Sequence, residues 1–186
     1  MASYELFKSS IEEAEGGYQN LKSDPGNYNS LGQRVGTNHG ISAKFYEAVR
    51  GMAPSVEDMK AISKQEAHIL FKNEFWDKVK ADNIDSQAVA ETLADHAINA
   101  GVSTAGKVMQ ITLNTAFHKT LLVDGKVGRQ TLAAMNSVNE KELFQAFSLA
   151  RLEDYKTKRN YSSWGRIWER RVQALGKKFG IEIKKK

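Results

Sequence analysis

From Tyr4 to Ala14, and again from Ala43 onward, the chain is patterned for helices; between Tyr18 and Ile41 it carries no helical period at all. That contrast limits the fold more than any other feature. Apolar residues three and four apart need a helix face to bury them. Gly26, Gly32, Gly36 and Gly40, with Asn20, Asn27 and Asn29 among them, favour turns and a small irregular hairpin. The predicted class is all-α with one small β-hairpin near the N-terminus, its strands expected around Gln33 to Val35.

The first helix stops at Gly16-Gly17, a C-terminal stop signal, with Glu15 at the break. At about 100° per residue, Phe7, Ile11 and Ala14 share one face. Glu15 lies beside Ile11 on its edge, and Glu12 and Glu13 point away. An anion in a last helical turn is disfavoured by about 0.3–1 kcal/mol, and partial burial against Phe7 and Ile11 disfavours it further. Both effects favour a protonated carboxyl, which a general acid needs. The alternative reading of these residues alone is a solvated acid at a helix end.

Further along, Ser55 with Asp58 and Ser63 with Glu66 are spaced as helix caps. Ser86 opens a helix reaching Asn99, whose Val89, Leu93 and Ala97 predict a small, buried, alanine-rich face. A helix from Thr104 to Phe117 precedes the turn Asp124-Gly125-Lys126-Val127-Gly128-Arg129-Gln130-Thr131. Asn139 and Glu142 cap a long helix. In the last helix Trp164, Trp168, Val172, Leu175 and Phe179 form an amphipathic stripe, which is expected to be core rather than a sugar-stacking platform.

The 186 residues, 41% of them hydrophobic, suffice for one domain or for two small ones sharing an interface. With no cysteine there is neither a disulfide scaffold nor a thiolate metal site. His39, His68, His96 and His118 lie in no zinc-binding spacing, and no phosphate-cradling glycine loop occurs, so no metal and no cofactor is expected. Residues 1–100 carry a net charge of −5 and residues 101–186 one of +10. The basic half suggests an anionic partner, for which nucleic acid, anionic lipid and bacterial wall polymers are candidates. Met1 to Ser10 hold no basic head followed by an apolar run, and no stretch approaches the ~18 apolar residues of a membrane helix. A protein without an export signal of its own is expected.

Glu15-Gly16-Gly17-Tyr18, Asp24-Pro25-Gly26 and Thr37-Asn38-His39-Gly40-Ile41-Ser42 resemble, in that order, the opening of glycoside hydrolase family 108, lysozyme-like N-acetylmuramidases of which some were once labelled secretion activators. The resemblance continues through Phe75-Trp76-Asp77 and Ala97-Ile98-Asn99-Ala100-Gly101. The eight residues between Glu15 and Asp24 also resemble the spacing in phage-type lysozymes. One departure is clear: the family commonly runs from Asp-Pro-Gly to Thr-Asn in a few residues, whereas here Asn27 to Gly36 make a longer loop. Asp124 to Thr131 resembles the Asp-Gly-x-x-Gly-x-x-Thr turn of helical peptidoglycan-binding modules, with Arg129 where proline is frequent.

The resemblance implies a lysozyme-like domain at 1–100 and a peptidoglycan-binding-like module at 101–186. It implies hydrolysis of the β-1,4 bond between N-acetylmuramic acid and N-acetylglucosamine, with Glu15 as general acid. Asp24 would orient a water or stabilise positive charge on the sugar; carboxyl separations of about 5–5.5 Å and about 6.5–9.5 Å mark retention and inversion. Tyr18, Thr37, Asn38, Trp76 and Asn99 are the candidate substrate-binding residues. Peptidoglycan is the expected partner, a holin-like membrane protein a possible one for export, and a monomer the expected state. The protein would be made in the bacterial cytoplasm and act on the wall after release. A non-catalytic wall-binding or secretion-associated accessory protein is the alternative. Nucleic acid is not expected, since no helix-turn-helix with base-contacting residues stands out.

Overall fold

The structure, a computed structural model, describes residues 1–14, 16–159 and 161–183, the side chains of Ser10 and of residues 12–14 excepted. Among the described residues there are nine α-helices: α1 (Tyr4–Ala14), α2 (Ala43–Arg50), α3 (Val56–Ala61), α4 (Lys64–Phe71), α5 (Gln87–Ala100), α6 (Val102–Phe117), α7 (Arg129–Asn136), α8 (Glu140–Lys156) and α9 (Tyr161–Phe179). Two short antiparallel strands, β1 (Thr37–Asn38) and β2 (Ile41–Ser42), complete the expected class, all-α with a small hairpin. None of the described helices is long and apolar enough to cross a membrane.

The hairpin falls later than Gln33 to Val35. His39 and Gly40 take positive φ, 46° and 74°, and make the two-residue turn between the strands. Arg34 instead forms an isolated bridge with Tyr28, inside the longer loop. The caps at Ser55, Ser63 and Ser86 are where the sequence put them, and Ser42 adds one that was not foreseen. The hydroxyls of Ser42, Ser55, Ser63 and Ser86 each accept the backbone N–H three residues on. At Ser55 the box is reciprocal, Asp58 accepting the Ser55 backbone N–H at 2.8 Å.

The chain packs as two compact units, residues 5–72 and the remainder, Met1–Tyr4 with the chain from Asn73 onward. In the smaller, β1, β2, α2 and α3 surround Ile41, Ala43, Tyr46 and Met59, all 3% exposed or less. In the larger, α5 is the central helix, packed on α6, α8 and α9, with Ala90, Leu93, Ala94 and Ala97 fully buried. The same helix also buries Glu91, Thr92, Asp95 and His96, which its apolar spacing did not foretell.

Those polar groups are matched from α8 and α9. Arg151, itself fully buried, donates to Thr92 Oγ1 (2.6 Å), Asp95 Oδ2 (2.5 Å) and the Tyr155 hydroxyl (3.0 Å). Arg171 of α9 donates to Asp95 Oδ1 (2.5 Å), and Lys178 to both Glu91 oxygens (2.8 Å). Burial alone would push the Asp95 carboxyl up; the Arg171 and Arg151 guanidiniums outweigh it and hold it down at about 2. Because the Tyr155 hydroxyl accepts from Arg151, its own proton is available to His96 Nδ1, 3.2 Å away. Burial, then the Arg151 charge, push that imidazole down to about 2. The tryptophan stripe of α9 packs inward in part, Trp168 stacking on Tyr155 with ring centroids 5.1 Å apart.

The turn before α7 is organised by one side chain of α6. Gln110, 2% exposed, donates to Asp124 Oδ1 (2.9 Å) and the Lys126 carbonyl (3.1 Å) and accepts the Gly125 N–H (2.8 Å). For Gln110 to reach this far, α6 must pass directly under the turn, and a Cβ at Gly106 would collide with the Gly125 carbonyl.

Two measurements check this account. Gly106→Ala should cost about 1–3 kcal/mol in urea unfolding through overpacking; an unchanged midpoint would show that the turn can lift away. The second concerns pH. Unfolding restores an ordinary imidazole value of 6.5, so below that pH the unfolded chain holds one more proton than the folded one. His96 therefore contributes stability that is complete above about pH 6.5 and falls by about 1.4 kcal/mol per unit as pH drops. Asp95 adds its own loss only below its ordinary 3.8. Between pH 6 and 4 the stability of His96→Gln should accordingly be flatter than wild type by about one proton's slope.

Candidate active site

Of the residues singled out from the sequence, Tyr18, Asp24, Thr37 and Asn38 belong to the 5–72 unit, while Trp76 and Asn99 belong to the other. Glu15 lies outside the described residues.

Thr37 is fixed twice through its backbone. It faces Ser42 across the hairpin, and on its other side it exchanges both backbone hydrogen bonds with Gln19, each 2.9 Å. Residues directly opposed in an antiparallel pair project to one face, so the side chains of Gln19 and Thr37 emerge together. Asn27 meets both there. Its Oδ1 accepts from the Thr37 hydroxyl (2.7 Å) and from Gln19 Nε2 (3.1 Å), and its Nδ2 donates to Gln19 Oε1 and to the Leu21 carbonyl, both 2.9 Å. Asn27 is fully buried.

Asp24 caps the short 3-10 turn Pro25–Asn27, its Oδ1 accepting the Gly26 N–H at 2.8 Å. Its Oδ2 accepts from Gln19 Nε2 at 2.9 Å. Gln19 thus touches Asp24 and Asn27, and through Asn27 reaches Thr37. The longer loop does not leave Asp24 adrift, because it folds back on itself. Val35 and Gly36 donate their backbone N–H groups to the Asn27 carbonyl, at 2.8 and 3.1 Å. Asn29, 6% exposed, ties the loop to the Pro54 carbonyl at 3.0 Å.

Tyr18 donates its hydroxyl to the Val35 carbonyl at 3.1 Å, and the Lys60 ammonium stands 5.3 Å from its ring centroid. Its ring passes so close to Gly36 that a Cβ there would sit 2.6 Å away, and Gly36 has a φ of 93°; both facts require glycine. Asn38 points inward. Buried to 4%, its Nδ2 faces the carbonyls of Met59 (3.0 Å), Lys60 (3.3 Å) and Ile62 (3.3 Å), closing the C-terminal end of α3. Trp76 is fully buried, its ring edge-on to Tyr4 and its indole N–H donating to Asp82 at 2.7 Å, so it offers no ring face to a sugar. Asn99 donates to the Asp95 carbonyl one turn back, at 2.6 Å.

Gln19 and Asn27 were not foreseen. The available signal was the Asp-Pro-Gly-Asn turn, which places Asn27 directly after a capping carboxylate; nothing in the sequence pairs it with Gln19. In the larger unit an open groove of about 330 Å³ runs beside the Asp124 to Thr131 turn, walled by Leu121, Leu122, Lys126 and Arg129. The Gln110 amide, then the Lys126 backbone N–H, hold the Asp124 carboxyl below its usual range. Among the described residues no group of acidic and histidine side chains could hold a metal ion.

Residues 9–101 match the family described as glycosyl hydrolase 108, and residues 104–162 match the predicted peptidoglycan domain. The chain is similar to a solved structure described as the structure of Brucella abortus SagA, with a TM-score of 0.82 and 26% identity. The match covers 96% of this chain and 94% of that one. No protein with a curated description matches.

The role found for Asn38 can be measured directly. Asn38→Ala would leave the carbonyls at the end of α3 without a partner, at a cost of about 1–3 kcal/mol. A midpoint of urea unfolding equal to that of wild type would contradict it.

Proposed function

The chain belongs to the glycosyl hydrolase 108 family and carries a peptidoglycan domain behind the matched segment; on that premise we propose that it is a muramidase. It hydrolyses the β-1,4 bond between N-acetylmuramic acid and N-acetylglucosamine, with Glu15 protonating the leaving glycosidic oxygen. One observation carries this reading: the glycosidase match contains Glu15-Gly16-Gly17-Tyr18, and a peptidoglycan-binding match follows it in the same chain. The fold, a lysozyme-like helical one with a small hairpin, is compatible with it.

The hairpin side supports a division of roles. Asp24 accepts from Gly26 and from Gln19, contacts that suit an ionised carboxylate. It is therefore suited to hold a water or to face positive charge on the sugar, and not to supply a proton; the proton falls to Glu15. Thr37, with its backbone pinned on both sides, is the second positioning group. Tyr18 and Asn38 shape the unit around them, and wall attachment is assigned to the module at 104–162.

The experiment is digestion of purified peptidoglycan, with the new reducing end identified by mass spectrometry. Muramic acid reducing ends are expected. Glu15→Gln should lower their release by at least about 100-fold, the lower range for loss of a general acid. Release above a few per cent of wild type would remove Glu15 from that role, and glucosamine reducing ends would assign the enzyme to the other bond.

A further inference from the structure

Gln19 and Asn27 fill each other's hydrogen-bonding positions, and the backbone decides which way both amides face. The Leu21 N–H, 3.0 Å from Gln19 Oε1, can only donate, so Nε2 has to face Asp24. The Leu21 carbonyl, 2.9 Å from Asn27 Nδ2, can only accept, so Asn27 has to turn its oxygen toward Thr37. With an obligate acceptor 2.7 Å away, the Thr37 hydroxyl gives its one proton to Asn27. Its lone pairs are left to accept, and among the described residues no donor reaches them. Asp24 is an acceptor as well, with one bond fixed at each oxygen and further lone pairs open.

We infer that the Gln19 and Asn27 amides are positioning residues for the hydrolytic water, setting Asp24 and Thr37 as a matched pair of acceptors. The inference rests on the muramidase reading above. A water entering between two acceptors directs a proton toward each and leaves a lone pair free for the anomeric carbon. As the water oxygen bonds to that carbon, the bond to the leaving sugar oxygen breaks. The Glu15 proton goes to the leaving oxygen and a water proton passes to the Asp24 carboxylate. If the Thr37 hydroxyl were free to turn, it could donate to the water instead of accepting from it, and Asp24 alone would be left to orient the attacking oxygen.

Gln19 is half-buried and carries the contact to Asp24, so it is the residue to change. Gln19→Met keeps the length and removes both donors; Gln19→Glu sets a second carboxylate against Asp24. On a soluble muropeptide oligomer, Gln19→Met should lower kcat about tenfold, within the range for misplaced reacting groups, with KM changed less than about twofold. Gln19→Glu, which sets an acceptor where the donor to Asp24 stood, should lower kcat at least as far, again with KM changed little. A structural brace alone would not separate kcat from KM in this way. Thr37→Ser should keep most of the activity and Thr37→Val should lose it, a comparison that holds even where a Gln19 variant fails to fold. Wild-type kcat in both Gln19 variants, or equal activity of Thr37→Ser and Thr37→Val, would overturn the inference while leaving the muramidase reading intact. A wild-type protein that releases no reducing ends removes that reading and the inference together.

Discussion

Taking an amide or a carboxylate out of water costs several kcal/mol unless protein groups replace the hydrogen bonds that water made. In each unit of this chain one such group decides where the neighbouring elements can lie. In the smaller it is Asn27, fully buried, with every donor and acceptor of its side chain engaged. In the larger it is Asp95, 5% exposed and held between two guanidiniums. Removing either partner set would strand a polar group in an apolar surrounding, so these contacts select the geometry as much as they stabilise it.

Around Asp95 the consequence is architectural. A helix as rich in alanine as α5 allows close approach of its neighbours, but close approach alone leaves the rotation and register of α8 and α9 open. Arg151 and Arg171 remove that freedom, since both have to reach the same carboxylate, and Lys178 adds a second tether to Glu91 two turns along α9. A buried ion pair is weak evidence for stability and better evidence for specifying one arrangement. His96 belongs to the same cluster, kept neutral by burial and by Arg151 and anchored by the Tyr155 hydroxyl.

Around Asn27 the consequence is chemical. The loop that follows it closes on itself and hands the chain back to Thr37 through Val35 and Gly36. A loop of this length costs little, because surface loops can lengthen at small entropic cost when their ends remain fixed. What the loop must preserve is the contact between Asn27 and Thr37, and with it the direction of one hydroxyl.

The sequence by itself determined the elements and their ends. Helical spacing, serine and asparagine caps, and glycine stops are local signals, set by residues within one or two turns of each other, and α1, α3, α5, α8 and the turn before α7 could be read from them. It also carried Glu15-Gly16-Gly17-Tyr18, which lies within the segment matched to the glycosyl hydrolase 108 family. The strand positions were displaced because the deciding feature, positive φ at both His39 and Gly40, lies in the turn and not in the strands. Only the tertiary structure decided what the polar residues do. Asn38, read as a positioner of substrate, closes a helix end, Trp76 is core, and Gln19, unremarked in the sequence, touches both Asp24 and Asn27. Helix and strand formation follow from near neighbours, whereas the partner of a buried amide or carboxylate arrives from tens of residues away. The pairings of Asp95 with Arg151 and of Asn38 with α3 therefore have no local signature.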